Sequence, residues 1–286
     1  HKQKMNNYIT NNDTIIFNNE FNEELDTKLI SGYKKLIFSN YELSEGIFEY
    51  YANSNYELSE GIFKYYANSN FDVLKYIGSK FNNDVSKLPL NITHLTFGYA
   101  FNKDVLKLPH GLTHLTFGNN FNQDVSSLPP TLTHLIFGYN FNQDISILPH
   151  NLIQLTFGYD FNKNVSKLPP ILTHLIVSDY FNQDVSILPQ TVTYLAFGKI
   201  FNQDVSNLPH NLIHLIFGHH FNQDVSVLPY NLTHLSFGID FNQDVSTLPP
   251  FLTHLTFGWC FNQDVSNLPK GITHLTFGNH FNKDVS

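Results

Sequence analysis

Residues 81–140 read FNNDVSKLPLNITHLTFGYA, FNKDVLKLPHGLTHLTFGNN and FNQDVSSLPPTLTHLIFGYN, three units of twenty residues in one register. The same unit recurs without insertion or deletion through residue 280, and the last six residues, FNKDVS, begin another. A strict period of this length is typical of solenoids, in which each unit buries its apolar edge only against its neighbours. We therefore predict a mainly β solenoid with twenty-residue coils over residues 81–286, truncated in its last coil.

The apolar positions of each unit are fixed, and the unit at residues 101–120 shows where they fall. They are Phe101, Val105, Leu108, Leu112, Leu115 and Phe117. Leu115 and Phe117 alternate with polar neighbours, which predicts one short, half-buried parallel strand in every coil. Gly118 ends that strand where the backbone is either left-handed or crowded. Pro109 opens a return segment that cannot continue as a helix.

The composition excludes several classes of function. The chain has 286 residues and a net charge of −8, and its sixteen basic residues are all lysine. It therefore lacks the basic stripe that nucleic acid backbones require. No apolar run is long enough to span a bilayer, and the single cysteine, Cys260, cannot form an intramolecular disulfide. We expect a cytoplasmic protein without a cofactor, whose partner is another protein and neither nucleic acid nor a membrane.

One seventeen-residue segment carries a family resemblance. Residues 128–144 read LPPTLTHLIFGYNFNQD, and most units follow this pattern, which resembles the FNIP repeat. This relative of the leucine-rich repeat is found chiefly in amoebae and in the giant viruses that infect them. Val125 and Ser126 stand where the name-giving motif has Ile and Pro, and Ile145 is the one isoleucine at its place. The unit also resembles short leucine-rich repeats of bacterial effectors, and FNQDVS is similar to a bacterial surface repeat.

The resemblance implies a leucine-rich-repeat-like fold and a role in protein–protein interaction. Because family members often carry an amino-terminal F-box, it further implies the substrate-recruiting part of a ubiquitin-ligase adaptor, in the host cytoplasm if the protein is viral. The alternative is a surface or virion-associated structural repeat protein. A hydrolase is a distant third reading, because no set of unlike catalytic groups emerges from the repeats and no catalytic residue is predicted.

Residues 1–80 depart from the twenty-residue register. Within them, residues 21–40 resemble a degenerate repeat and residues 13–18 the end of another. We therefore expect an amino-terminal capping region there instead of an F-box. Residues 41–70 are a tandem duplication of a fifteen-residue segment. The spacing of its apolar residues leaves short helices and irregular coils both open.

The fourteenth position of the unit forms a row of histidines. The row comprises His94, His114, His134, His174, His214, His234, His254 and His274, and Gln154 and Tyr194 interrupt it. Strand alternation places these side chains on the solvent side of the sheet. Neighbouring imidazoles could bind a transition metal, but no carboxylate or thiol lies beside the row, so we interpret it as a surface ladder and expect no metal site.

A second file of polar residues runs through Asn102 and Asp104 and their equivalents in the other coils. Carboxylates aligned at one per coil could bind calcium. We favour a structural role, in which the asparagines satisfy backbone groups between coils and each aspartate caps the backbone that follows it.

The pair of residues after each strand, at the nineteenth and twentieth positions, varies while everything around it is fixed. Cys260, beside Trp259, belongs to such a pair. Variable aromatic and imidazole groups on a rigid edge are typical of a recognition surface. Together with the histidine row they give the predicted partner-binding residues: Tyr139, Tyr159, His219, His220, Trp259, His214, His234 and His254. The incomplete coil at residues 281–286 predicts either a fragment or end-to-end self-association.

Overall fold

The computed structural model describes residues 8–11, 13–17, 21–38 and 80–284. It divides into two compact units, His1–Phe121 and Asn122–Ser286, each built around short strands. The first unit contains β1 (Tyr8–Asn11), β2 (Thr14–Phe17), the single-turn helix α1 (Thr27–Ile30), β3 (Lys35–Phe38), β4 (His94–Thr96) and β5 (His114–Thr116). The second contains β6 (His134–Ile136), β7 (Gln154–Thr156), β8 (His174–Ile176), β9 (Tyr194–Ala196), β10 (His214–Ile216), β11 (His234–Ser236), β12 (His254–Thr256) and β13 (His274–Thr276).

In the first unit, four strands run parallel and one runs against them. β1 pairs antiparallel with β2, after which β2, β3, β4 and β5 pair in parallel and in sequence order. β3 lies directly beside β4, with Leu36 opposite Leu95, although the 55 residues from 39 to 93 separate these two strands in the chain. The segment from Phe21 to Phe38 therefore occupies the place of one coil. The duplication at residues 41–70 lies outside the described residues.

In the second unit every strand pairs in parallel with the next, in a register of twenty residues. Leu215 lies opposite Leu195 on one side and Leu235 on the other. The ladder continues just before each strand, where the amides of Thr253 and His254 both donate to the carbonyl of Thr233. Backbone hydrogen bonds thus hold each coil to both of its neighbours, and the predicted single parallel strand in each repeat coil is confirmed.

The core is a set of columns in which identical side chains stack from coil to coil. All six predicted apolar positions of the unit at residues 101–120 are at most 5% exposed. The rings of Phe217 and Phe221, four residues apart in the chain, lie 3.7 Å apart, and the rings of Phe221 and Phe241, one full repeat apart, lie 6.1 Å apart, nearly parallel in both cases. Because a coil has no core of its own, its folding depends on these contacts with its neighbours.

The glycine that follows most repeat strands, and that is replaced by the buried Ser178 after β8, lies where neighbouring coils approach closely. A Cβ atom added at Gly238 would lie 1.9 Å from the carbonyl oxygen of Gly218, and one at Gly258 would lie 1.8 Å from that of Gly238. Real Cβ atoms do not come this close to a backbone oxygen. Of the two reasons that the sequence left open, backbone crowding therefore explains the repeated glycine.

Candidate interaction surface

The histidine row lies on the outer face of the strands, opposite the buried leucines. In β11, Leu235 is buried, whereas His234 and Ser236 are half-buried on the other side. The rings of His214, His234, His254 and His274 stack, with centroids 4.2 Å apart at each step. The imidazoles therefore shield one another, which explains why side chains on the solvent face are only partly exposed.

Electrostatics in this row favours the neutral imidazole. Burial lowers the pKa of His174, and burial followed by the charge of other histidines lowers the pKa of His214 and His234. Tyr194 interrupts the row between His174 and His214, with its ring centroid 5.6 Å and 5.7 Å from theirs. Burial raises the pKa of the Tyr194 phenol, so this side chain is neutral too.

The variable residues after the strands form a second surface, and its first part is a cluster of tyrosines. The rings of Tyr139 and Tyr159 stack at 4.4 Å, and Tyr180 meets Tyr159 edge-on at 4.7 Å. The Nζ atom of Lys199 lies 5.8 Å from the Tyr159 ring centroid and 3.5 Å from an Asp179 carboxylate oxygen. Hydrogen bonding to Tyr180, followed by burial, raises the pKa of Tyr159 far above its ordinary value.

The second part of this edge carries imidazoles and the only tryptophan of the chain. The Nδ1 atom of His220 lies 2.6 Å from a carboxylate oxygen of Asp240 in the next coil. The indole Nε1–H of Trp259 donates to Nε2 of His280 at 2.8 Å, yet Trp259 remains 49% exposed. We call the nineteenth and twentieth residues of each coil the post-strand edge. It presents aromatic and hydrogen-bonding groups held in place by neighbouring coils.

The structure brings some of the predicted partner-binding residues together and adds others to them. Tyr139 stacks on Tyr159, and the adjacent rings of His219 and His220 lie 6.5 Å apart. Residues that the sequence reading did not select complete the same clusters: Tyr180, Lys199, Asp240 and His280. All four occupy the variable positions, so the signal was present. The sequence does not show which of these positions meet. Tyr159 and Trp259 each contact the twentieth residue of the following coil. Lys199 instead lies over Tyr159 two coils earlier, and Asp240 contacts the twentieth residue of the preceding coil.

The rows of asparagines and aspartates form hydrogen bonds that stabilise the backbone of the solenoid, as the sequence predicted. The Oδ1 atom of Asn222 accepts from the backbone N–H of Asn242 at 2.9 Å, one coil later. The carboxylate of Asp224 accepts from both the backbone N–H and the hydroxyl of Ser226 at 2.8 Å, and these bonds lower its pKa. The predicted backbone roles of the asparagines and aspartates are thus confirmed.

Two further features limit the chemistry of the described residues. Among residues 8–11, 13–17, 21–38 and 80–284, no three His, Cys, Asp or Glu side chains are grouped so as to hold a metal ion together. In the same part of the chain, no helix is long and apolar enough to cross a membrane.

Comparison with protein families identifies the repeat. The FNIP Repeat family matches residues 81–120, 104–140, 121–160, 161–200, 201–240, 224–258 and 241–280. The chain belongs to the FNIP repeat family. The matches reach from residue 81 to residue 280, and they confirm the family that the Leu-Thr-His-Leu and Phe-Asn motifs had indicated. Among curated proteins, no sequence matches this chain.

Solved structures show the same fold. CroV588, a circular leucine-rich-repeat protein of a giant virus, is 36% identical, with a TM-score of 0.67. The match covers 98% of this chain and 49% of CroV588, so the FNIP repeat chain spans about half the length of that protein. Two Listeria monocytogenes internalins also match. InlF is 19% identical (TM-score 0.50; 68% of each chain), and InlJ is 18% identical (TM-score 0.53; 66% of this chain and 44% of InlJ). The leucine-rich-repeat-like solenoid is therefore confirmed.

Proposed function

We propose that this FNIP repeat protein is a non-enzymatic scaffold that binds another protein through the histidine row and the post-strand edge. The observation that supports the proposal most is the contrast between a repeated frame and a varied edge. Leucine-rich-repeat-like folds are typical of protein–protein interaction scaffolds. The partner is expected to lie where side chains differ from coil to coil, because identical coils offer no other means of choosing a partner.

The post-strand edge has the chemistry of an interface centre. Trp259 is 49% exposed and Tyr180 is 45% exposed, and both lie on a hydrogen-bonded frame. Tryptophan and tyrosine are enriched among residues that dominate binding energy, since they bury a large area at a small cost in side-chain entropy. The strand face beside this edge bears no Asp, Glu, Lys or Arg between β6 and β13. A partner surface rich in apolar and hydrogen-bonding groups therefore fits better than a strongly charged one.

Two finer roles follow from the family and from the structural neighbours. The leading role is recruitment of a substrate protein in the cytoplasm, as part of an F-box-type ubiquitin-ligase adaptor, which the family resemblance supports. The second role is a structural part of a cell surface or virion. The likeness to a giant-virus protein favours it. Immunoblotting of purified virus particles, of the cell-surface fraction and of the cytoplasmic fraction of host cells would distinguish these roles by where the protein accumulates.

Capture of partners by matched variants tests the proposal. The edge variant changes Tyr139, Tyr159, His219, His220 and Trp259 to Ala. The control variant changes five exposed side chains outside the edge to Ala: Ile147, Ile187, Val227, Tyr230 and Phe251. Proteins captured from host-cell lysate by the unchanged chain are identified by mass spectrometry, and their affinity for each variant is then measured.

We expect the edge variant to lose the partner and the control variant to retain it. Each edge residue that dominates binding should cost about 2 kcal/mol of binding free energy when it is changed to Ala. Melting temperatures of both variants should stay close to that of the unchanged chain, which shows that loss of binding is not loss of folding. A partner that binds the edge variant normally and the control variant poorly would move the interface to the return segments of the coils.

The expected end-to-end self-association remains part of the proposal. Leu275 in β13 is 41% exposed, whereas Leu255 in β12 is 1% exposed. Pairing of β13 with a strand of another chain would be the route of such association. Sedimentation over a range of concentrations tests this point. Leu275→Lys should give a monomer where the unchanged chain associates, and a monomer in both cases would contradict self-association.

A further inference from the structure

Three consecutive coils repeat a threonine–histidine pair on the outer strand face. The Oγ1 atoms of Thr233 and Thr253 lie 2.8 Å and 2.9 Å from Nδ1 of the histidines that follow them, His234 and His254. The third pair, Thr273 and His274, has the same contact at 3.0 Å. Which atom supplies the proton in this contact decides the chemistry of the opposite ring nitrogen.

The threonine hydroxyls identify the donor. Each hydroxyl has one proton, and each donates it to a backbone carbonyl of the preceding coil: Thr233 to Ile213 at 3.3 Å, Thr253 to Thr233 at 3.1 Å and Thr273 to Thr253 at 3.2 Å. The hydroxyl can therefore only accept from the imidazole, so Nδ1 carries the proton of the neutral ring. The lone pair of each ring then lies on Nε2.

This arrangement is the one that metal-binding histidines use. A histidine ligand ordinarily donates its second ring N–H to an oxygen acceptor, which fixes both the tautomer and the ring orientation. Here the threonines provide that acceptor in three successive coils, and the strand ladder fixes the spacing of the rings. No aspartate, glutamate or lysine lies in β11, β12 or β13. This part of the histidine row therefore offers nitrogen ligands only.

The spacing suits two nitrogens on one ion. A Zn–N bond is about 2.0–2.1 Å, so two nitrogens on one tetrahedral ion lie about 3.4 Å apart, somewhat closer than the stacked rings. The ring centroids of His234 and His254, and of His254 and His274, are each 4.2 Å apart. Because the rings are nearly parallel, their Nε2 lone pairs run side by side. Both rings must therefore tilt towards each other, about their Nδ1 contacts with threonine, before the two Nε2 atoms reach one ion.

Although the sequence alone predicted no metal site in this row, we propose that His234, His254 and His274 form a binding site for a borderline divalent transition ion of the Cu²⁺, Ni²⁺ and Zn²⁺ class. Two neighbouring imidazoles bind the ion through Nε2, and water completes its coordination, since no group of three protein ligands lies among the described residues. Imidazole nitrogen suits these ions, with Cu²⁺ bound most tightly, whereas Mg²⁺ requires oxygen ligands. His94 and His114, stacked at 4.1 Å in the first unit, offer a second pair of the same kind.

Titration of the whole chain with Cu²⁺, Zn²⁺ and Mg²⁺ tests the site by calorimetry, and electron paramagnetic resonance counts the nitrogens on Cu²⁺. The ladder variant changes His234, His254 and His274 to Gln, the residue that the same row already carries at Gln154. The matched control changes three exposed histidines of the return segments to Gln: His110, His150 and His210. Circular dichroism confirms that both variants are folded.

We expect saturable binding of Cu²⁺ and Zn²⁺ but not of Mg²⁺, with two nitrogens on each Cu²⁺. The ladder variant should bind at least one fewer Cu²⁺ per chain, and the control should keep the original number. Changing Thr253 and Thr273 to Val, which removes the acceptor for Nδ1, should weaken binding by about 10-fold or more. Equal stoichiometry in the ladder variant and the unchanged chain, or one nitrogen per Cu²⁺, would overturn the proposal.

Discussion

The interior of a coil and its post-strand edge both recur once in every twenty residues, but repetition has opposite consequences for them. In the interior, Leu215 and Phe221 are completely buried against copies of themselves, and the same residue types recur in every coil. At the edge, Tyr180, Ile239 and Trp259 are between 41% and 49% exposed, and neighbouring coils carry different residues. A side chain that touches its own copy in the next coil cannot change alone, whereas an exposed one can.

Among the positions compared, we expect substitution in the glycine column to lower the free energy of unfolding the most. Gly238→Ala should abolish folding or destabilise the second unit by about 4–5 kcal/mol, because the new Cβ atom would meet the Gly218 backbone and force two coils apart. Thermal and denaturant unfolding measure the loss. Gly32→Ala is the matched control, since nothing lies within 4 Å of a Cβ atom at Gly32. A stable Gly238→Ala protein would show that the coils separate at little cost.

The leucine column should give the next largest effect. Leu215→Ala removes a completely buried side chain that lies between Leu195 and Leu235, and the cavity should destabilise the unit by about 2–5 kcal/mol. Ile216→Ala, at a neighbouring side chain that is 37% exposed, should cost less than about 1 kcal/mol. If the two variants melt at the same temperature, the inner and outer faces of β10 do not differ as the comparison requires.

These two columns also show how much of the fold could be predicted from the sequence. A strict period repeats every core position many times, so the sequence alone predicts that Leu115 and Phe117 are buried. The sequence does not give the reason for Gly118, because backbone crowding depends on the distance between coils. The strand is also short. The strand itself covers only His114–Thr116, although the phenylalanine after such a strand still donates its amide to the next coil, as Phe97 does to Thr116.

The candidate surface was less predictable than the core, because it depends on the directions of side chains. Alternation placed His234 and His254 on the outer face, but their ring stacking and their hydrogen bonds to threonine depend on rotamers. In the same way, Tyr180 completes the tyrosine cluster only because its ring turns towards Tyr159 in the preceding coil. A repeat therefore predicts which positions form a surface more readily than which residues form a cluster.

The histidine row is less buried than the interior and less exposed than the post-strand edge. Its contribution to stability should depend on pH. Burial and neighbouring histidines lower the pKa of His214 and His234 in the folded chain below the ordinary value of about 6.5. Stability that depends on a lowered pKa is fully present above the unfolded value and is lost as pH falls through the folded value. The free energy of unfolding should therefore fall between pH 7.5 and pH 5, by less than about 1 kcal/mol per histidine pair after solvent screening, and the melting temperature should fall with it.

Replacing His214 and His234 with Gln separates this effect from general acid destabilisation. Gln154 shows that the row accepts glutamine, and glutamine does not titrate in this range. The variant should lose less stability on acidification than the unchanged chain. Identical melting curves for the two proteins at every pH would remove these histidines as the cause.

The smallest effect on stability should come from the post-strand edge, where the hydrogen bond between His220 and Asp240 can be broken without disturbing the core. Asp240→Ala removes a carboxylate 2.6 Å from Nδ1 of His220, but the two side chains are 44% and 58% exposed. Exposed ion pairs contribute about 0.2–1 kcal/mol at most, since water and salt screen them. Denaturant unfolding should show a change within that range, with high salt reducing it further. A loss as large as that of Leu215→Ala would mean that the edge is part of the frame, and its sequence variation could then no longer be attributed to recognition.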